Sequence, residues 1–314
     1  MADARESFVE KSLRPLWRSG RIVNAMSVDV EDYFQVQALS GVVTRDSWEG
    51  RVPRVEANTH KILDLFERRG VKATFFTLGW VARRSPDLVR RIVADGHELA
   101  SHGTEHRRAD DQSPEEFRQD IRTSKKILED IGGVAVRGYR APTFSIGDSN
   151  LWAFDVLADE GYSYSSSVYP VRRDFYGMPS APRFAFYPLS HQGFEEYPMT
   201  TVQVGQRKLP GGGGGFFRLL PYALTRAGIA RVNQQDQLPA IFYFHPWEID
   251  PDQPRVGGLP LKSRFRHYVN LASTLGRLDR LARDFVWDRM DKVFTPGEVS
   301  SHADAATQGR ESVQ

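Results

Sequence analysis

Apolar residues along the chain fall into short unbroken runs separated by longer stretches in which they recur every three or four positions. The runs Ile22–Val30, Val71–Leu78, His97–Ser101, Val136–Pro142, Tyr162–Val168 and Ala240–Phe244 predict buried strands. The intervening stretches predict helices. One covers Pro53–Arg69 and stops at Gly70; a second opens at Ser85-Pro86-Asp87, with the hydroxyl at the cap, and ends at Gly96. A third opens at Ser113-Pro114-Glu115-Glu116 and aligns Phe117, Ile121, Leu128 and Ile131 on one face before Gly132-Gly133. Ser149–Glu160, Tyr222–Val232 and the stretch bearing Leu271, Leu275, Leu278 and Leu281 complete the set. Strands alternating with helices imply a parallel sheet, open or closed into a barrel. The rhythm lapses between Pro170 and Gly215, where five consecutive glycines (Gly211 to Gly215) read as a flexible surface loop. Residues 1–20 and 299–314 read as loose ends around a single domain at 21–298.

Composition narrows the chemistry. With 314 residues, 40% of them hydrophobic, the chain can bury one large core. The 42 basic and 40 acidic residues leave a net charge of only +2, too little for a nucleic-acid surface. Cysteine is absent, so any metal must sit on nitrogen and oxygen ligands. No apolar run is long enough to span a bilayer, and Met1 to Ile22 lacks the apolar core of a signal peptide; the expected location is cytoplasmic.

In parallel α/β folds, ligands collect at the C-terminal ends of the strands. Three polar clusters follow predicted strands: Asp29-Val30-Glu31-Asp32, the segment from His97 through His102 to His106, and His245-Pro246-Trp247-Glu248. His102 and His106 are four apart, so a helical turn would present both rings to one cation. Three carboxylates within four residues repel one another unless a cation relieves them. A histidine pair lacking a carboxylate and a carboxylate cluster lacking histidines complement each other, giving a site with open positions for catalysis. His97, beside a buried strand, reads as a structural hydrogen-bonding residue. Along a strand, side chains alternate, so Asp29 and Glu31 share a side and Val30 faces the packed wall. Parity therefore favours Glu31 over Asp32 as the metal's carboxylate, both being candidates. Amide hydrolysis also needs a base and an acid, for which Asp29 and His245 are available.

These clusters, with Arg140-Ala141-Pro142 and Tyr164 to Val168 between them, resemble in order the motifs of the polysaccharide deacetylase superfamily (carbohydrate esterase family 4, with its nodulation-type deacetylase domain). Glu195 to Pro198, Leu209 to Leu220, Phe242 to Asp250 and Arg264 to Tyr268 further resemble its exosortase-associated exopolysaccharide branch, with a C-terminal extension at about 190–298. The resemblance implies an α/β fold, a distorted (β/α) barrel of about seven strands. It implies Asp29 as base, His245 as acid, Arg140 as the residue orienting the base or holding the substrate, and His102 and His106 as ligands of one divalent cation, zinc being favoured. Where the family has a second adjacent aspartate, this chain has Val30.

In the implied mechanism the metal, with a backbone N–H near Tyr164 or Ser165, would stabilise the oxyanion. Rim aromatics (Tyr33, Phe144, Trp152, Trp247) would stack on sugar. The implied reaction is N-deacetylation of an oligo- or polysaccharide, with acetate released and exopolysaccharide or its lipid-linked precursor as substrate, at or near a membrane-bound machinery. The competing readings are a same-fold amidohydrolase acting on a small cyclic amide and an inactive carbohydrate-binding protein. A lectin would need neither Asp29 nor His245.

Overall fold

The computed structural model describes residues 8–172, 176–188 and 193–294. Its frame is a set of parallel strands: β1 (Arg21–Val30), β2 (Thr74–Thr77), β3 (Glu98–Ser101), β4 (Gly138–Tyr139), β5 (Tyr164–Ser165), β6 (Glu195–Glu196), β7 (Ile241–Phe244) and β8 (Val286–Asp288). Laterally they run β7-β1-β2-β3-β4-β5-β6, and β8 also pairs with β1. The sheet curls into a half-barrel, the α/β architecture expected from the sequence.

Alternation along β1 sorts the layers. Met26, Val28 and Val30 join an outer core with Ile62, Phe66 and Leu278, whereas Val23 and Ala25 pack in the barrel interior with Phe76, Ala100 and Tyr243. Period two then carries Ser27 and Asp29 to the interior side, where ligands collect. The outer helices are α1 (Val55–Arg69), α2 (Pro86–Ala94), α3 (Pro114–Gly132), α4 (Trp152–Asp159), α5 (Tyr222–Arg231), α6 (Leu261–Tyr268) and α7 (Leu271–Asp284). Gly70 ends α1 in the left-handed conformation (φ 62°), and α3 starts with a full capping box between Ser113 and Glu116.

Several local expectations change. Ser85 does not cap α2; its backbone is off the extended geometry, and its hydroxyl donates to Glu56 Oε2 at 2.8 Å. The runs at Val136–Pro142 and Tyr162–Val168 yield only the two-residue strands β4 and β5. The N-terminal segment is not loose over residues 8–18: Phe8–Glu10 pairs antiparallel with Phe186–Pro188, and Trp17–Arg18 with β1. The tail at 299–314 lies outside the described residues. The glycine run is no free loop either. Tyr243 N–H donates to Gly212 O at 2.7 Å and Gly214 N–H donates to Tyr243 O at 2.9 Å, so the run seals the outer edge of β7.

Candidate active site

Asp29 lies one residue before the end of β1 and meets Arg140, which follows β4. Arg140 Nη1 donates to Asp29 Oδ1 at 2.6 Å and to Ser27 Oγ at 2.9 Å. The rest of the guanidinium donates to Ser166 O and Ser166 Oγ, both at 3.0 Å, and its plane lies over Phe76, 4.1 Å from the ring centre. A fully buried cation so bound has no freedom to move. Asp29 thus keeps one oxygen occupied and the other, Oδ2, turned toward His245.

Glu31, His102 and His106 form the next group. All three are buried, and their ligand atoms lie within 4.8 Å of one another. The two histidines do not share a helical turn: Gly103 (φ 78°) and His106 (φ 54°) adopt left-handed conformations in a loop after β3. That loop still brings the rings together, with centres 5.4 Å apart. The carbonyl of Arg140 can only accept, so His102 Nδ1, 2.8 Å away, carries the proton and Nε2 is left bare. His106 Nε2 sits 2.7 Å from Glu31 Oε2, yet that oxygen has no partner with hydrogen-bond geometry. Donor atoms that converge this closely without bonding one another suit a shared divalent cation, and nitrogen–oxygen donors suit a transition ion such as zinc. Burial pushes the Glu31 carboxyl upward, but His106, His245 and His102 together pull it down to about 2. It is a carboxylate at neutral pH. His102 is held at about 4, chiefly by burial, and is neutral, as a ligand must be.

His245, directly after β7, completes the ring of groups. Its Nε2 lies 3.5 Å from Glu31 Oε1 and 3.9 Å from Asp29 Oδ2. Burial lowers its basicity, but Glu31, Glu248 and Asp29 outweigh it and raise the pKa to about 9, so the ring carries a proton to give. These groups line one cavity of about 150 Å³ together with Phe144, Tyr243 and Trp247.

Not every candidate arrives there. Asp32 is elsewhere: its Oδ1 accepts from Tyr33 N–H (2.8 Å) and its Oδ2 from Arg54 N–H (2.7 Å) and Val55 N–H (3.0 Å). Beyond Val30 the chain turns, and this carboxylate anchors the start of α1. Neither Tyr164 nor Ser165 lines the cavity. Tyr164 N–H is engaged by Arg137 O (3.3 Å) and its hydroxyl donates to Glu98, deep in the barrel; Ser165 Oγ bonds Ser167 Oγ. Trp247 does line the cavity, but it is only 6% exposed, stacked between His245 and His267. Its Nε1–H donates to Glu31 Oε1 at 3.3 Å, so it steadies the carboxylate instead of offering a face to sugar. Phe144 is at the cavity as expected, whereas Tyr33 and Trp152 pack in or against the cores. His97 accepts from Ala73 N–H at 3.1 Å, and burial lowers its pKa to about 3, the structural role expected of it.

Two residues were not anticipated. Glu248 is fully buried behind His245, and Arg218 Nε donates to its Oε1 at 2.8 Å. The spacing of Glu248 three residues after His245, with a proline between, is a capping-box signal that could have flagged it; Arg218, 30 residues away from Glu248, has no local signal.

Comparison with known proteins finds similarity over two successive parts of the chain. A family model described as polysaccharide deacetylase matches residues 46–164, and one described as a domain of unknown function (DUF3473) matches residues 166–295. A peptidoglycan-N-acetylglucosamine deacetylase of Bacillus cereus is 36% identical over 96 residues, covering 30% of this chain and 35% of its own. A chitooligosaccharide deacetylase of Bradyrhizobium sp. is 31% identical over 112 residues, covering 35% and 48%. The chain therefore spans about half or less of the length of these curated relatives. A Mycobacterium smegmatis structure assigned to the polysaccharide deacetylases superimposes over 91% of this chain and 93% of its own, with a TM-score of 0.55 at 18% identity, and so shares the fold. Within this chain, residues 46–164 are thus similar to the polysaccharide deacetylases, and residues 166–295 to a domain family with no function attached.

Proposed function

We propose that the protein hydrolyses N-acetyl groups on a carbohydrate and releases acetate, with one divalent cation held by Glu31, His102 and His106. The observation that carries this reading is the convergence on one small cavity of a three-donor group, an arginine-clamped aspartate and a protonated histidine. When bound, the cation supplies Lewis acidity, which makes a water nucleophilic near neutral pH and polarises the acetyl carbonyl. Asp29 Oδ2 takes the proton of that water while Arg140 holds the other oxygen still. His245, at the end of the neighbouring strand β7, gives a proton to the amine nitrogen as the C–N bond breaks. Phe144 and Tyr243 shape the cavity around the acetamide.

Peptidoglycan and chitooligosaccharides are the relatives' substrates. For this chain the finer reading is an N-acetylated exopolysaccharide or its lipid-linked precursor, handled in the cytoplasm beside a membrane-bound machinery, with zinc as the ion. No described helix is long and apolar enough to cross a membrane. Residues 21–298 act as one catalytic unit in this reading, since Asp29 and Glu31 precede the deacetylase match and His245 lies within the second one.

Two experiments test the roles. His106→Ala or Glu31→Gln should abolish metal binding and acetate release together. Asp32→Asn should keep the metal and lose about 1–3 kcal/mol of stability, because three backbone donors lose a charged acceptor. Metal analysis with calorimetry separates them, and full metal occupancy in Glu31→Gln would remove Glu31 from the ligand set. For His245→Ala, kcat on acetamide substrates should fall about 10²-fold or more, with metal retained. An activated ester, whose leaving group needs no proton, should lose far less. Equal losses on both substrates would argue against the acid role.

A further inference from the structure

His245 turns its two ring nitrogens toward different carboxylates. Nε2 faces the cavity, while Nδ1 is buried on the far side with no hydrogen-bond partner of good geometry, and the carboxylate facing it is Glu248, whose Oε2 lies 3.4 Å away. Glu248 cannot drift from that place. Its Oε2 accepts the backbone N–H of His245 at 3.1 Å, and its Oε1 accepts Arg218 Nε at 2.8 Å.

Arg218 is itself fixed by three carbonyls. It donates to His267 O at 2.9 Å, Val269 O at 3.0 Å and Arg266 O at 3.0 Å, all at the end of α6. Its guanidinium also lies 5.0 Å from the ring centre of Trp247, which stacks on His245. Both side chains are almost wholly buried. A buried ion pair of this kind is costly to desolvate and is weak evidence for stability alone. Its position behind a reactive histidine gives it a use.

We propose that Glu248, locked by Arg218, is a positioning residue that keeps the Nδ1 proton of His245 on the buried side, so that Nε2 is the nitrogen that delivers a proton to the departing amine. The inference rests on the acid role of His245 and adds a task for the C-terminal domain, which supplies the histidine, its carboxylate and the arginine that holds the carboxylate. The proton balance requires this arrangement. An imidazolium that gives up its Nε2 proton becomes a neutral ring protonated at Nδ1, and that product is stabilised by an acceptor at Nδ1. A donor placed there instead would select the opposite neutral tautomer, protonated at Nε2, which has no proton to give without becoming an anion.

Glu248→Gln makes that reversal with almost no change of shape. The guanidinium of Arg218 will hold the amide oxygen, which leaves the amide NH₂ facing His245. For the cation-loaded enzyme, kcat on an N-acetylated oligosaccharide should fall by about tenfold or more with KM within about twofold. Release from an activated ester should change little. Glu248→Asp, which keeps the charge, should recover part of the amide rate. A purely structural role would lower amide and ester rates together and would be rescued equally by either variant.

Nitrogen NMR of His245 in the zinc-loaded protein, assigned with His245→Gln, gives an answer independent of turnover. The neutral ring should carry its proton on Nδ1 in the parent and on Nε2 in Glu248→Gln. The same tautomer in both proteins would overturn the proposal even if the enzyme deacetylates as described. The expected switch in a protein that releases no acetate would uphold the pairing and fault the reaction instead.

Discussion

Asp29→Asn should reduce acetate release by about 10²- to 10⁴-fold while leaving the cation in place. Arg140 occupies Oδ1, so proton transfer falls to Oδ2, which lies 3.9 Å from His245 Nε2. In the asparagine the carbonyl oxygen stays with Arg140, and the NH₂ replaces the free oxygen with a group that cannot accept a proton. Metal content should be unchanged, because Asp29 is not among the three converging donors. Stability should fall, since the fully buried guanidinium loses its counter-ion; breaking such a pair costs about 3–5 kcal/mol in general. Here Ser27, two contacts to Ser166 and the face of Phe76 remain, which places the loss toward the low end of that range. Rates therefore need to be read on protein shown to be folded by its melting curve. A kcat within tenfold of the parent in folded, metal-loaded Asp29→Asn would remove Asp29 as the base.

Much of this site can be read from the chain because its parts are local. Period two in β1 puts Asp29 on the interior side and Val30 under the helices, and the structure follows it residue by residue. Strand-end polarity likewise points to His102, His106 and His245. What the sequence hides is of two kinds. The first is backbone conformation after the strand ends: His102 and His106 converge through left-handed Gly103 and His106 and not through a helical turn, and Asp32 swings away to the first amides of α1. The second is long-range partnership. Nothing near Arg218 announces that it will clamp Glu248, and nothing near Tyr164 announces that its amide is taken by Arg137. Side chains that act through another element appear only once the elements are packed.

The glycine run belongs to that second kind, and it yields the largest stability effect expected outside the charged groups. Gly213 sits at φ 110°, a backbone conformation that L side chains rarely adopt, and a Cβ built there would lie 2.1 Å from Tyr243 O and 3.1 Å from Tyr243 N. The obstacle is backbone of β7 and cannot rotate aside. Gly213→Ala must therefore push the run off the strand edge, breaking the pairing between Gly212, Gly214 and Tyr243. Strain at a disfavoured φ and overpacking each cost about 1–3 kcal/mol, so a total of about 3–5 kcal/mol is expected. That corresponds to a melting point lower by roughly 10 °C. Tyr243 is two residues before His245, so kcat should fall as well, through displacement of the acid. Gly215→Ala is the matched control: a Cβ there meets nothing within 4 Å, and the residue begins a short helix, where alanine is favourable. A loose surface loop would tolerate both substitutions alike. Equal melting points for the two variants would detach the run from β7, whereas a gap near 10 °C would identify it as the seal on the edge of the strand that carries His245.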